Sequence, residues 1–192
     1  MITKLSHIIA DFFIREKIVP EEQREIYEYG FELSISSIIG IIIVLAIGII
    51  GGKFWESIVF YMVFCFTRLF TGGFHASSHL LCKITFSANL LAVLVIDWIL
   101  YKIENYYWFV LYFYSFVIVC QFAPIENSNK ELTKYQKVKC KIISIIAMAI
   151  WLAVMFLFRS LNSTLDHIVA LTLFDVSNLM LLGIFYERRK KQ

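Results

Sequence analysis

"LSISSIIGIIIVLAIGII", Leu33 to Ile50, carries no charged side chain across a length that matches the hydrocarbon core of a bilayer. A spanning helix needs roughly 20 apolar residues. Similar runs recur at Trp55–Phe70, Ile84–Tyr101, Tyr106–Ala123, Ile142–Phe158 and Leu165–Tyr186. The chain is 59% hydrophobic with a mean hydropathy of +0.73, whereas soluble domains run about 45–50% apolar. That excess calls for lipid, not a globular core. The expected fold is an all-α polytopic membrane protein with about six transmembrane helices. There is no internal repeat, no linker and no soluble segment large enough for its own core, so residues 1–192 are expected to form one domain.

The net charge of +3 is small, and no nucleic-acid partner is expected. The placement of the charges says more. Lys4, Arg15, Lys17 and Arg24 precede the first run. Arg68 and Lys83 flank the second gap, Lys130, Lys134, Lys137, Lys139 and Lys141 fill the fourth, and Arg188, Arg189, Lys190 and Lys191 close the chain. The alternate gaps hold only Lys53, Lys102 and Arg159. Short cationic loops stay in the cytoplasm. Both termini and the second and fourth gaps are therefore expected on the cytoplasmic face of a bacterial cell membrane.

Residues 1–28 do not read as a signal peptide. Ile2, Leu5, Ile8, Ile9, Phe12 and Phe13 recur at helical spacing with charges between them. This predicts an amphipathic helix lying on the inner leaflet, which can also serve as a platform for an amphipathic peptide. Residues 124–141 open with Pro124, and Ser128 with Glu131 has capping-box spacing. A cytosolic helix running into the fifth span is expected there. Its lysines, Lys130 and Lys134 among them, serve as topology signals or as a surface for an acidic peptide. Asn162 heads a glycosylation sequon in a very short gap.

The reactive side chains gather in "RLFTGGFHASSHLLCKITF", Arg68 to Phe86. Gly72 and Gly73 disfavour a continuing helix at about 1 kcal/mol each against Ala, so the chain is expected to turn. Ser77 or Ser78 suits the N-cap of the next helix. Cys82 then lies near its first turn, where the helix dipole favours a thiolate, with Arg68 or Lys83 in support. His75 and Cys82 would stand about 10 Å apart on one straight rod, so pairing them requires the loop to fold back. His79 lies three residues before Cys82 and is a rival partner. A Cys–His nucleophile, a metal site of His75, His79 and Cys82, and ordinary interfacial residues all remain open on these grounds. Cys65 and Cys120 read as buried packing residues. Asp175 and Asn178 fall inside the sixth run, where an intramembrane carboxylate faces a cavity or a partner. Asp97 and Asp166 lie nearer the outer ends, where solvation is easier. Asn89, below Cys82, is a candidate for orienting His75.

The pattern R-x3-GG-x-H-x6-C, set by Arg68, Gly72, Gly73, His75 and Cys82, resembles the accessory gene regulator protein B (AgrB) family, membrane cysteine endopeptidases of bacterial quorum sensing. The likeness extends to "YGFE" at Tyr29–Glu32 and to Ala123, Pro124, Asn129, Lys130 and Leu132. It implies that Cys82 and His75 are the catalytic pair, that Arg68 and Gly73 are important to the site, and that Glu32 stands at a position often occupied by Gln. His79 matches no catalytic position of the family. The implied substrate is an AgrD-type propeptide with an amphipathic leader, a central Cys or Ser and an acidic tail. The implied reaction is tail release through a Cys82 thioester, followed by thiolactone closure. The segment at 68–83 would be the catalytic one, and no cofactor or metal is expected. The expected partners are the propeptide, the lipid bilayer and a second copy of the chain. The competing function is a small membrane transporter or metal-binding membrane protein using His75, His79 and Cys82 as ligands.

Overall fold

The computed structural model describes residues 2–72, 79–100, 107–125, 132–161 and 163–190, except the side chains of His79, Leu80, Glu187 and Lys190. The described residues form helices α1 (Ile2–Arg15), α2 (Arg24–Ile50), α3 (Phe54–Thr71), α4 (His79–Leu100), α5 (Tyr107–Phe122), α6 (Lys134–Ser160) and α7 (Leu165–Lys190), with a 3-10 turn at Glu21–Gln23. No strand occurs among them. The all-α expectation holds. The helices of α2, α3, α4, α6 and α7 are long and apolar enough to cross a membrane, and α5 is a shorter apolar helix. This is the build of a multi-pass membrane protein.

The chain divides into two compact units, residues 1–46 and 47–192. In the first, α1 buries the small residues Ser6 and Ala10 and leaves Leu5, Ile8 and Phe12 exposed. Small residues let a helix approach its neighbour closely, and the bulky apolar ones stay free. Polar contacts tie α1 to the start of α2. His7 Nδ1 lies 2.8 Å from Glu28 Oε1, Arg24 Nε donates to the same oxygen at 2.8 Å, and Arg24 also pairs with Asp11. Phe13 packs on Phe31 with ring centroids 5.2 Å apart.

The second unit is organised around α7. In that helix 61% of the spanning stretch is buried, against 22–33% in the spans of α3, α4 and α6, so within this unit α7 is the centre and α3, α4, α5 and α6 surround it. Ile168, Val169, Leu173, Val176 and Met180 form its buried faces, against Phe60 and Val63 of α3, Leu90 of α4, Trp108 and Val119 of α5, and Met148 of α6. Hydrogen bonds lock the helices in register. Tyr112 donates to the Met148 carbonyl at 2.8 Å, and Trp151 Nε1 donates to Thr67 Oγ1 at 3.0 Å. Inside a membrane such bonds are worth about 0.6–2 kcal/mol each.

Three expectations need correction. Asp97 and Asp166 are not solvated at helix ends; they are 3% and 4% exposed, because they are drawn into a buried ionic cluster. Cys65 is exposed on α3 rather than packed in the core, and Cys120 is half-buried. The helix entering the fifth span starts at Lys134. Its capping box is Thr133 with Gln136: Gln136 N–H donates to Thr133 Oγ1 at 3.3 Å, and Thr133 N–H donates to Gln136 Oε1 at 2.9 Å. Leu132 and Thr133 are not helical, so a cap at Ser128 does not start this helix. Ser128 and Glu131 themselves lie outside the described residues.

Candidate functional site

The site is built where α3 ends and α4 begins. Arg68 lies in the last turn of α3. The helix stops at Thr71 because Gly72 takes φ 71° and ψ −153°, a conformation open essentially to glycine alone. The same residue is pressed against the segment that follows α5. Ile125 N–H donates to the Thr71 carbonyl at 2.9 Å, and a Cβ placed on Gly72 would come within 2.4 Å of the Ile125 carbonyl oxygen. Thr71 is held in turn, its hydroxyl donating to the Thr67 carbonyl at 3.0 Å. The end of α3 is therefore fixed to α6 through Trp151 and Thr67, and to the Ala123–Ile125 segment through the main chain.

Among the described residues α4 begins at His79, and Cys82 is its fourth residue. Its thiol is exposed and in no disulfide. The start of a helix carries the positive end of its dipole. The Arg68 guanidinium is within electrostatic reach of Cys82, Cys65 and Asp175, and it lies 5.4 Å from the centre of the Phe64 ring. A cation thus stands near this thiol at the start of α4.

Below this level the interior is polar. Asp175 Oδ2 of α7 and Asn89 Nδ2 of α4 are buried without a hydrogen-bond partner. Asn178 is engaged: its amide donates to the Phe174 carbonyl at 2.8 Å, and its oxygen accepts from the Tyr114 hydroxyl at 3.3 Å. Asn89 is seven residues beyond Cys82, about 10 Å down α4. Lys83 is half-buried beside Cys82, and Lys134 is exposed at the start of α6.

The fold thus brings Arg68, Gly72, Cys82 and Asp175 to one region. Glu32 lies in the first unit, on α2. His75, Gly73, Ser78 and Lys130 lie outside the described residues, as does the side chain of His79. Among the described residues no three His, Cys, Asp or Glu side chains are arranged to hold a metal ion; that statement does not reach His75 or the His79 side chain. Sequence reasoning missed the Trp151–Thr67 bond and the Ile125 contact at Gly72. The "AP" at Ala123–Pro124 was visible, but nothing in the sequence says which helix end it meets.

Residues 6–187 match the family described as Accessory gene regulator B. The chain is 26% identical over 151 residues to a "Putative AgrB-like protein 2" of Clostridium perfringens, covering 72% of this chain and 68% of that protein. It is 23% identical over 163 residues to an "Accessory gene regulator protein B" of Staphylococcus lugdunensis, covering 84% and 83% of the two chains. No solved structure gives a significant match.

Proposed function

The chain belongs to the accessory gene regulator B family, and from that premise we propose that it is a cysteine endopeptidase that cuts the acidic tail from an AgrD-type propeptide and promotes ring closure of what remains. Membership gives it a role in the accessory gene regulator quorum-sensing system. The reaction and its residues are our reading. The observation that carries it is the exposed Cys82 thiol in the first turn of α4, within reach of the Arg68 charge.

His75 takes the Cys82 proton, and the thiolate attacks the carbonyl carbon at the tail junction. The tetrahedral oxyanion is met by Arg68 or by the free N–H groups at the start of α4. Collapse breaks the C–N bond, the departing amine takes the proton back from His75, and the pheromone segment stays on Cys82 as a thioester. The substrate's own thiol attacks that thioester and expels Cys82. One thioester replaces another, so no ATP is required. With a serine in its place the product is a lactone.

The membrane performs part of the recognition. The exposed Leu5, Ile8 and Phe12 of α1 suit the inner leaflet and an amphipathic leader. The exposed Lys134, Lys137 and Lys139 of α6 suit an acidic tail. In this reading the whole chain acts as one membrane peptidase domain. Both termini, residues 68–83 and residues 124–141 face the cytoplasm, where the propeptide is made. The test is reconstitution of the full chain in liposomes with a cognate propeptide, followed by mass spectrometry. Released tail and a Cys82-linked thioester support the reading; an intact propeptide under conditions in which it is bound rejects it.

A further inference from the structure

The reaction above gives Asp175 no task. This residue lies inside the spanning stretch Leu165–Tyr186 of α7. Its Oδ2 is buried and accepts no hydrogen bond. A carboxylate is costly to keep in such a place. α7 packs on α3, and among the described residues Arg68 of α3 is the charged side chain in electrostatic reach of Asp175. Arg68 is in reach of Cys82 as well.

The posture of Arg68 is the second observation. The residue stands in the last turn of α3, where a long basic side chain ordinarily extends to the membrane surface and water. Its guanidinium carbon instead lies 5.4 Å from the centre of the Phe64 ring, one turn back along α3. The group is turned inward. Phe64 stacks on Phe60 with centroids 5.2 Å apart and meets Phe86 of α4 at 5.3 Å. Phe86 lies one turn beyond Cys82 on α4. The inward posture thus sets the guanidinium on the ring cluster that joins α3 to α4 beneath Cys82. An aromatic face attracts a cation by about 0.5–2 kcal/mol. It cannot neutralise a guanidinium, which stays protonated in proteins, and a charge turned away from water needs a counter-charge. Arg68 has a further interaction, so Asp175 does not hold it alone.

Resting on the peptidase reading for the use made of that cation, we infer that Asp175 is a positioning residue whose charge keeps the Arg68 guanidinium inward over Phe64 and beside Cys82. In a low-dielectric interior a unit charge acts beyond hydrogen-bond distance, so the unpaired Oδ2 does this without touching Arg68.

The experiment measures two rates on the full-length protein in detergent, with Cys65, Cys120 and Cys140 replaced by Ala so that Cys82 is the remaining thiol. The first is alkylation of Cys82 by iodoacetamide at neutral pH, which reads its thiolate and needs no propeptide. Asp175→Asn removes a negative charge. Were that charge acting on Cys82 directly, its loss would favour the thiolate and speed alkylation. Because it holds Arg68, its loss frees the guanidinium, and alkylation is expected to slow about 3-fold. The second rate is single-turnover thioester formation with a cognate propeptide. Asp175→Asn is expected to slow it about 10-fold, and to slow it no further in an Arg68→Gln background. Asp175→Glu is expected to keep both rates and Asp175→Gln to lose them; this pair repeats the comparison if Asp175→Asn does not fold. Glu126 and Glu131 follow Ile125 in the sequence, lie outside the described residues, and are replaced by Gln in parallel. Alkylation of Asp175→Asn at or above the wild-type rate overturns the proposal. So does a loss that multiplies with that of Arg68→Gln, or the expected pattern found at Glu126 or Glu131 in place of Asp175. A wild type that forms no thioester, but whose alkylation slows with Asp175→Asn, rejects the peptidase reading and keeps the coupling of Asp175 to Arg68.

Discussion

At one end of the second unit, Lys53, Arg159 and their carboxylate partners close over a buried His167. About 27 Å away along the 18 residues of α3, the Cys82 thiol is exposed in the first turn of α4, and the nearby carboxylate oxygen Asp175 Oδ2 has no hydrogen-bond partner. Both ends use the same chemistry, charges held where helices meet. One end covers its histidine and ties five helices together. The other leaves the proposed nucleophile open beside a cation. Cohesion is concentrated at the first end and the proposed chemistry at the second, so substitutions at the two should fail in different assays.

The largest expected effect is at the proposed nucleophile. Cys82→Ala should reduce tail release by at least about 10³-fold and abolish the thioester adduct, with thermal stability unchanged. Cys65→Ala, Cys120→Ala and Cys140→Ala should keep activity, even though Cys65 is exposed too. A Cys65→Ala variant without adduct would assign the acyl group to the wrong thiol.

Next comes the join between the site and its support. Gly72→Ala forces an L-residue into a glycine conformation against the Ile125 carbonyl. It should cost roughly 1–3 kcal/mol and lose cleavage while the protein still inserts in the membrane. Unfolding and adduct formation measured on one preparation check this. Wild-type rates of adduct formation would mean that the end of α3 does not position the nucleophile.

Arg68→Gln should slow thioester formation by about 10²-fold, the usual scale for losing a charge-stabilising donor at the reacting centre, with Arg68→Lys in between. Single-turnover trapping separates this step from propeptide binding. The smallest effect belongs to α6. Replacing Lys134, Lys137 and Lys139 by Gln should raise KM a few-fold, leave kcat intact and remove most of the salt dependence. An unchanged KM across salt would take the acidic tail away from this surface.

How much of this was legible in the sequence depends on which physics was in play. The spans of α2, α6 and α7 follow from apolar length alone, and the end of α3 follows from the glycine at 72. Periodicity does not show which helix sits in the middle. α7 carries Asp166, His167, Asp175 and Asn178, residues that a lipid-facing helix avoids, and their number was itself the sign of a central position. The positions of Asp97 and Asp166 near the outer ends suggest easy solvation when each is read alone; the partners that bury them come from other helices. The cap of α6 fell to Thr133 because Gln136 completes a capping box as well as Glu131 would have done for Ser128. The exposure of Cys65 depends on the rotation of α3, which a run of apolar residues leaves undetermined.

The central place of α7 also has a consequence for how the protein is made. In chain order α7 is the last of these helices to leave the ribosome, yet α3, α4, α5 and α6 pack around it. Until it arrives, they can form only an open ring in the bilayer, with Asp97 and Lys53 facing a gap that lipid fills poorly. Assembly is thus a race between the arrival of α7 and removal of an unfinished ring by membrane quality control.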